Sequence, residues 1–468
     1  MKTRKRLFKL TAMVMSLALA SSAMTGCSNK KESADGKVHI SVAGWPSKEG
    51  AALNNSNAKK AAFEAEYPNI VIEPDTWQLD MQTFYPKAEA GMLANLFSVH
   101  FTEVKKITDG GYVYDITEVL KDNGFEGKFS QRAIDTVTQD GKVMAFPYNM
   151  YMLGLACNTK MLEAAGLMEA DGTPKQPKDW NEVAEFAQKI KKATGKAGFI
   201  IPTTNNCGGW FFTNIAWSFG TDFMEQREDG TWEATFDTPE TVEALQFIKD
   251  LKWKYDVFSN NTLISLDEYY KEYAVGNVGM IISSGDIQQH TRKYGMPKEE
   301  YGLMAIPKGP ARHVALLGGG VYCVSGKSTK EQADAAVKYI KKSYTYELSD
   351  EYKETYMRTI NTTLEEGGII GPEKINIWAG DTDVRKYQDE VRNQYCNINM
   401  NAIKLYNDSL NDDTIEVQEE EPMCCQDLYG ILDNCIQRVL ADENADCAEL
   451  IKNANRDFQV NFLDKVTY

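Results

Sequence analysis

The sequence predicts an α/β protein made of two bodies. Short apolar runs typical of strands alternate with helical patterns along most of the chain, which favours largely parallel sheets covered by helices. The chain has no internal repeat and no long linker, and its 468 residues, 43% of them apolar, suffice for more than one core. A broken strand at residues 140–158 lies where the two bodies would meet.

That broken strand is the main reason to expect two bodies. Asp140-Gly141 favours a hairpin turn before it. Pro147 cannot donate a ladder hydrogen bond, so regular pairing is expected to end there. A second apolar strand, Met150–Cys157, then begins in the other body. Tyr148 and Tyr151 fall at this crossing, within reach of both bodies, and are candidate ligand contacts.

The first 27 residues form a lipoprotein export signal. A basic start is followed by an apolar run, Leu10–Met24, that is too short to span a membrane comfortably. Small residues then precede Cys27, and a polar tether follows over residues 28–36. We therefore expect diacylglycerol on Cys27, whose two chains suffice for stable anchoring on the extracellular face of the cell membrane. An ordinary cleaved secretion signal is the alternative.

The mature chain is strongly acidic. Residues 1–26 hold five basic and no acidic side chains, so their removal takes the net charge from −16 to −21. Such a chain repels nucleic acid and anionic lipid surfaces. We therefore expect no nucleic-acid partner, and membrane attachment must come from the lipid.

Strand ends in the first body carry candidate ligand contacts. Lys37–Val42, Ile70–Thr76 and Leu96–Val99 are predicted strands with helices between them. In open parallel sheets, ligands lie beyond the carboxyl ends of the strands, so the residues that follow the first and third strands are candidates. These residues are Trp45, Phe101 and Glu103.

The second body shows the same arrangement. Asp179 and Glu182 form a capping box ahead of a helix, and a turn rich in glycine and aromatic residues is predicted from residue 205 to residue 217. A buried strand, Val278–Ser283, ends just before a short polar loop. The candidates here are Trp210, Ser284 and Asp286.

Beyond residue 300 two extended runs precede a mainly helical tail. Leu316–Val324 is predicted to be interrupted by three glycines, of which Gly319 is a candidate contact. Trp378, in a Gly-rich loop, is another. Residues 411–422 are acidic and predicted to be poorly structured, and two helices, at about 423–440 and 446–458, follow them.

Eight cysteines accompany Cys27. Cys157 and Cys323 lie in strand-like runs, and Cys435 lies in an apolar helical stripe, where a free cysteine acts as a small hydrophobe. An extracellular location also permits disulfides, so a bridge among the C-terminal cysteines is the alternative. No histidine lies near those cysteines, and we expect no metal site there.

Catalytic motifs are missing. The run ending in Gly326-Lys327-Ser328 resembles a phosphate loop, but Val321 stands where glycine is needed. The sequence contains neither H-E-x-x-H nor G-x-S-x-G. Glu103 with Asp286 leaves a surface glycosidase as a less favoured alternative. We expect a binding protein with no catalytic residues and no cofactor.

Several segments, in their order and spacing, resemble one family. They are Ala90-Gly91, Gly110–Ile116, Gly141–Tyr148, Leu155–Asn158, Pro177–Val183, Tyr273–Met280, Ala305–Gly309 and Gly318–Gly320. With the lipobox, they resemble extracellular solute-binding proteins of ABC importers, above all the carbohydrate-binding family related to maltose-binding protein. The resemblance is scattered over residues 12–345 and weak beyond them.

The resemblance implies a periplasmic-binding-protein-like type II fold, with two α/β lobes and a ligand cleft between them. It implies one lobe from residues 37–153 and 303–350, a second from 154–302 and 351–468, and crossings near 153, 302 and 350. It also implies a monomer that captures a carbohydrate, an oligosaccharide above all, by cleft closure and delivers it to the permease subunits of the importer.

The residue chemistry agrees with a sugar site. Tryptophan and tyrosine offer rigid faces to sugar rings, and carboxylates, amides and glycine loops satisfy hydroxyl groups. A binding protein for a non-sugar solute, such as a phosphorylated polyol or a peptide, is the alternative. The predicted ligand contacts are Trp45, Phe101, Glu103, Tyr148, Tyr151, Trp210, Ser284, Asp286, Gly319 and Trp378.

Overall fold

A computed structural model of the chain describes residues 35–285, 287–371 and 375–466. Cys27, with the rest of the export signal, and the candidate Asp286 lie outside the described residues. Within them, no helix combines the length and the apolar character needed to cross a membrane.

The strands form two main sheets and two short hairpins. In chain order they are β1 (Val38–Val42), β2 (Ile70–Pro74), β3 (Leu96–His100), β4 (Thr138–Gln139), β5 (Lys142–Val143), β6 (Phe146–Met152), β7 (Gly154–Asn158), β8 (Ala197–Phe199), β9 (Met224–Gln226), β10 (Trp232–Ala234), β11 (Val278–Ser283), β12 (Tyr301–Met304), β13 (Val314–Val324) and β14 (Glu416–Glu419). The larger sheet has the order β14-β13-β3-β1-β2, with β6 also paired to β13, and the smaller sheet has the order β12-β7-β11-β8.

Helices cover both sheets. In chain order they are α1 (Ala51–Glu66), α2 (Met81–Glu89), α3 (Phe101–Asp109), α4 (Thr117–Asp122), α5 (Gln131–Asp135), α6 (Thr159–Ala164), α7 (Trp180–Thr194), α8 (Cys207–Phe219), α9 (Pro239–Trp253), α10 (Leu266–Ala274), α11 (Ile287–Lys293), α12 (Lys330–Lys341), α13 (Asp350–Glu365), α14 (Asp383–Gln394), α15 (Lys404–Ser409), α16 (Cys425–Ala441) and α17 (Cys447–Asn461). Short 3₁₀ turns lie at Lys298–Glu300, Met400–Ile403 and Leu463–Lys465.

Each main sheet has its own hydrophobic core, and the fold therefore has two α/β lobes. The first lobe is the larger sheet with the helices packed on it, around buried residues such as Phe63 and Phe146. The second lobe is the smaller sheet with its helices, around Trp180 and Tyr269. The two-lobe prediction is confirmed, but both sheets mix parallel and antiparallel pairs rather than being largely parallel. The antiparallel pairs involve the strands that follow a crossing: β7 pairs in this way with β11 and β12, and β13 with β3 and β6.

The chain passes between the two sheets at Leu153. β6 ends at Met152 in the larger sheet, and β7 begins at Gly154 in the smaller sheet. The second crossing lies later than the predicted residue 302, because Gly302 still pairs with Cys157 inside the smaller sheet. The chain returns to the first lobe between β12 and β13.

The C-terminal part contributes to both lobes, unlike the predicted assignment of residues 351–468 to the second lobe alone. Trp378 packs in the first core, with its ring centroid 5.2 Å from that of Phe129. β14 pairs parallel to β13 in the larger sheet, within the stretch 411–422 that was predicted to be poorly structured. Helices α16 and α17 then pack in the second core.

The larger sheet tolerates proline and glycine where pairing was predicted to stop. Pro147 lies inside β6, opposite Val321, at a shift of register that accommodates its missing donor. Residues 318–320 lie within one continuous strand, β13. Aromatic rings rest against these three glycines: a Cβ atom at each position would come within 2.5 Å of Tyr151, Phe101 or Tyr148.

The cysteines from Cys157 onward carry free thiols in the described part of the chain, and all but Cys207 and Cys396 are buried. Cys435 lies on the buried face of α16, as its spacing predicted. No bridge joins the C-terminal cysteines in the structure.

Candidate ligand-binding site

A cavity of about 360 Å³ lies between the lobes, next to the crossing at Leu153. Strands of both sheets end there: β3 and β6 from the first lobe and β11 from the second. The starts of α8 and α16 and one face of α10 complete the wall. The lining residues are His100, Tyr151, Leu153, Asn205, Asn206, Cys207, Trp210, Leu266, Tyr270, Ser283, Ser284, Glu420, Gln426 and Tyr429.

Two aromatic side chains from different lobes meet at this cavity. The ring of Tyr151, near the end of β6, stands edge-on to the ring of Trp210, with centroids 6.1 Å apart and an angle of 89°. Behind Trp210, the ring of Phe211 lies 4.4 Å away, centroid to centroid. Gly318 leaves space for the Tyr151 ring against β13. The half-buried Trp210 thus offers a rigid flat surface at the junction of the lobes.

Glu420 holds two aromatic side chains of the second lobe. Its Oε1 accepts a hydrogen bond from Trp210 Nε1 at 3.1 Å, and its Oε2 accepts one from the Tyr429 hydroxyl at 2.9 Å. Burial raises the pKa of Glu420 to about 7, although both hydrogen bonds oppose the shift. Both the charged and the neutral form of this carboxyl group are therefore populated near neutral pH.

Ser283 brings an unsatisfied hydroxyl to the same cavity. Its side chain is only 1% exposed, and its Oγ has no hydrogen-bond partner among the described residues. A buried hydroxyl without a partner costs about 1–3 kcal/mol. A ligand hydroxyl placed in the cavity would remove that cost.

The amino terminus of α8 borders the cavity, but its backbone donors are already occupied. Asp433, on α16 and 4% exposed, accepts hydrogen bonds from Asn206 N at 2.8 Å and from Gly209 N at 2.7 Å. Gly208 and Gly209 make this approach feasible, because a Cβ atom would lie 2.7 Å from Asp433 Oδ1 or 2.2 Å from Tyr429 O. The glycine pair thus serves helix packing, and the segment predicted as a turn is a helix.

Of the predicted contacts, the structure brings Tyr151, Trp210 and Ser284 to this cavity. Phe101 and Gly319 lie one layer behind it, in contact with each other. Tyr148 faces Gly320 and packs on Tyr322, with ring centroids 4.7 Å apart.

Three other predicted contacts lie elsewhere. Trp45 borders a separate cavity of about 160 Å³ beside α12. The last residue of β1, Val42, pairs with the first residue of β3, Leu96, so β1 ends before it reaches the edge of the sheet at which β3 ends. Glu103 is 4% exposed on α3, beside Lys106 and Asp427, and burial raises its pKa to about 7. Trp378 is 4% exposed in the first core, so it serves packing and does not line the cavity.

The sequence did not reveal the part of the cavity wall that Glu420, Gln426 and Tyr429 form. Glu420 follows β14 directly, so the rule that ligands lie beyond strand ends would have selected it. The strand went unrecognised because its four residues, Glu416–Glu419, include only one apolar side chain. Tyr429 and Gln426 follow on the first turns of α16, without a distinctive pattern.

A family model of bacterial extracellular solute-binding proteins matches residues 58–362, more than half of the chain. The chain belongs to that family. Its members are binding proteins of ABC transporters rather than enzymes, and the prediction of an extracellular solute-binding protein is therefore confirmed. The matched region covers both crossings and ends before β14 and α16.

Among curated relatives, the sn-glycerol-3-phosphate-binding periplasmic protein UgpB of Escherichia coli is 23% identical over 316 residues, which are 63% of this chain and 68% of UgpB. Among solved structures, the maltose-bound MalE3 of T. maritima has a TM-score of 0.65 at 20% identity, covering 91% of this chain and 100% of MalE3. UgpB from Mycobacterium tuberculosis, in complex with glycerophosphocholine, has a TM-score of 0.63 at 15% identity, covering 91% of this chain and 98% of that one. These likenesses establish the type of fold.

Proposed function

We propose that this solute-binding protein captures a neutral carbohydrate, a short oligosaccharide, in the cavity between its lobes. The observation that carries the proposal is the composition of the wall. It combines the faces of Trp210 and Tyr151 with carboxylate, amide and hydroxyl groups, and the described lining residues include no lysine or arginine. Sugar rings stack on such faces, and their hydroxyls need such acceptors and donors.

The cavity volume fits a short sugar. About 360 Å³ lies near the lower end of the 300–1,000 Å³ typical of small-molecule sites. The maltose ligand named for the MalE3 structure belongs to the same chemical class.

A phosphorylated polyol is the second candidate, because relatives are named for glycerol 3-phosphate and glycerophosphocholine. Phosphate groups bind well where a helix amino terminus has free N–H groups or where arginine and lysine converge. At α8 the carboxylate of Asp433 already occupies that place. A phosphate there would meet a buried carboxyl group instead of free donors, which favours the neutral sugar.

A thermal-shift screen tests the ligand class. Maltose, maltotriose, glucose, glycerol 3-phosphate and glycerophosphocholine would be compared at equal concentrations. A ligand at 100 times its Kd should add about 2.7 kcal/mol to the free energy of unfolding. We expect a stabilising sugar among these or in a wider set of mono- and oligosaccharides. Stabilisation by the phosphorylated compounds alone would overturn the proposal.

We also propose that the protein is a monomer held on the outer face of the membrane by lipid on Cys27, from where it delivers its solute to the permease of an ABC importer. The lipobox and the acidic mature chain support this arrangement. Changing Cys27→Ser should release the protein from the membrane fraction of expressing cells. A variant that stays membrane-bound like the parent would contradict the lipid anchor.

A further inference from the structure

Glu420 lies where the chain leaves the first lobe for the last time. β14 is hydrogen-bonded to β13 in the larger sheet, and α16, a few residues later, packs on α8 in the second lobe. Glu420 follows β14 directly, so its backbone is tied to the first lobe. Its side chain nevertheless contacts Trp210 of α8 and Tyr429 of α16.

The two contacts use both oxygens of the carboxyl group. Trp210 Nε1 donates to Oε1 at 3.1 Å, and the Tyr429 hydroxyl donates to Oε2 at 2.9 Å. An ionised carboxylate is an acceptor only, so it can satisfy two donors at once. A glutamine side chain of the same size keeps one carbonyl acceptor but loses the negative charge, so its hydrogen bond from Trp210 is weaker.

The indole ring of Trp210 has one polar atom, Nε1, and this atom donates its hydrogen bond to Glu420. Tyr151 and Phe211 contact it through their rings, and such contacts limit translation but specify the ring plane less sharply than a directional hydrogen bond. The hydrogen bond to Glu420 therefore decides which way the indole is turned at the cavity.

We propose that Glu420 is a positioning residue for ligand capture: it fixes the plane of Trp210, and with it the surface on which the solute stacks. This inference rests on the proposed function, because a stacking solute is what makes the ring plane matter. It also gives the C-terminal segment, which lies outside the region matched by the family model, a part in setting specificity.

A ligand-free experiment tests the positioning directly. The chain has eight tryptophans, so the fluorescence of the parent minus that of Trp210→Phe gives the contribution of Trp210. Protonation removes the negative charge of the carboxyl group and weakens the charge-assisted hydrogen bond from Trp210 Nε1. We expect the Trp210 spectrum to shift between about pH 6 and pH 8, around the raised pKa of Glu420.

Other titratable groups face the same space and must be separated. Among the described residues, burial raises the pKa of Glu103 on α3 and of the neighbouring Glu421 to about 7, so both compete in this pH range, and it lowers the pKa of His100 on β3. Cys207, Tyr151, Tyr270, Cys425 and Tyr429 are the thiols and phenols nearby. The shift should persist in Glu103→Gln, Glu421→Gln and His100→Asn and disappear in Glu420→Gln. A Trp210 spectrum that does not change with pH, or that still changes in Glu420→Gln, would overturn the proposal.

A double-mutant cycle tests the consequence for binding, with maltotriose as the probe in titration calorimetry. Glu420→Gln should weaken binding about tenfold when Trp210 is present, roughly the value of one hydrogen bond to a charged group. In the Trp210→Phe background the same change should have less than about a twofold effect. Equal losses in both backgrounds would mean that Glu420 contacts the ligand itself, which contradicts a positioning role.

Tyr429→Phe provides the folding control, because it removes one donor and leaves the bond to Trp210. It should retain the pH-dependent Trp210 spectrum. If maltotriose does not bind the parent protein, the sugar proposal loses support, but the ligand-free spectra still decide whether Glu420 orients Trp210. The two failures are therefore distinguishable.

Discussion

At the scale of single residues, the surroundings of a tryptophan decide its role. Trp210 directly follows two glycines, Trp378 lies in a Gly-rich loop, and both were predicted to contact ligand. Trp210 borders the cavity and is hydrogen-bonded to Glu420. Trp378 packs against phenylalanine rings in the first core, with its ring centroid 5.2 Å from that of Phe129.

The two tryptophans should respond differently to truncation. Trp210→Ala should weaken sugar binding by about 1–3 kcal/mol through lost stacking and burial, with little change in stability. Tyr151→Ala should weaken it as well, since its ring supports the same surface. Trp378→Ala should instead lower the free energy of unfolding by about 3–5 kcal/mol, because it empties a core site. Calorimetry and thermal unfolding of the three variants would separate these outcomes, and unchanged affinity in both Trp210→Ala and Tyr151→Ala would place the cleft elsewhere.

The sequence could predict which residues follow a strand, but not where each strand ends relative to its neighbours in the sheet. Tyr151, Trp210 and Ser284 lie at the cavity because their elements end level with it. Trp45 also follows a strand, yet only Val42 of β1 pairs with β3, at Leu96, so β1 stops well short of the end of β3. Such offsets depend on sheet register, which a single sequence does not specify outside hairpins.

At the scale of elements, close packing between two helices explains why two glycines follow each other at residues 208 and 209, where the sequence suggested a turn. Gly208 and Gly209 lie in the first turn of α8, and α16 packs directly on them. The contact lets Asp433 of α16 cap α8 from another helix, a substitute for the side-chain cap that Asn206 does not provide. Sequence patterns describe one element at a time, so a cap that comes from more than 200 residues away leaves no local signal.

Helix propensity and packing make opposite predictions for Gly209→Ala. Alanine is favoured over glycine inside a helix by about 1 kcal/mol. A Cβ atom at this position, however, would lie 2.2 Å from the backbone oxygen of Tyr429. We expect a net destabilisation of about 1–3 kcal/mol by overpacking. Gly380→Ala is the control without crowding, since apart from its chain neighbours no atom of the described residues lies within 4 Å of its Cβ position. Urea unfolding of both variants would measure the change in the free energy of unfolding. A Gly209→Ala variant that is more stable than the parent would contradict direct contact between α8 and α16.

At the scale of the whole molecule, the chain crosses between the lobes several times, and two of these crossings border the cavity. They are Leu153 and the segment that leads from Glu420 to α16; the segment between β12 and β13 is a further crossing. Single-residue and short connections of this kind suit hinge closure around a ligand. We expect small-angle scattering to show a smaller radius of gyration with saturating sugar than without it. An unchanged radius at saturation, with binding verified by calorimetry on the same sample, would indicate a rigid pocket.

Buried carboxyl groups should make the stability of the molecule depend on pH near neutrality. Glu103 and Glu421 are 4% and 7% exposed, and burial raises the pKa of each to about 7, as it does for Glu420. In the unfolded chain a glutamate titrates near 4.3. Between about pH 4.5 and pH 7 the native state therefore binds more protons than the unfolded state. The free energy of unfolding must then fall as the pH rises through this window.

We accordingly expect a higher Tm at about pH 5.5 than at about pH 8. His39, whose pKa is raised by its hydrogen bonds to Glu73 and Asp35, acts in the same direction. Glu421→Gln keeps an acceptor for the Trp217 Nε1 donor at 2.8 Å and removes the titration, so it should flatten the dependence. Glu443→Gln, an exposed position, should leave the dependence as in the parent. Scanning calorimetry across this range would measure all three proteins, and a parent Tm that rises toward pH 8 would show that these carboxyl groups are not buried as described.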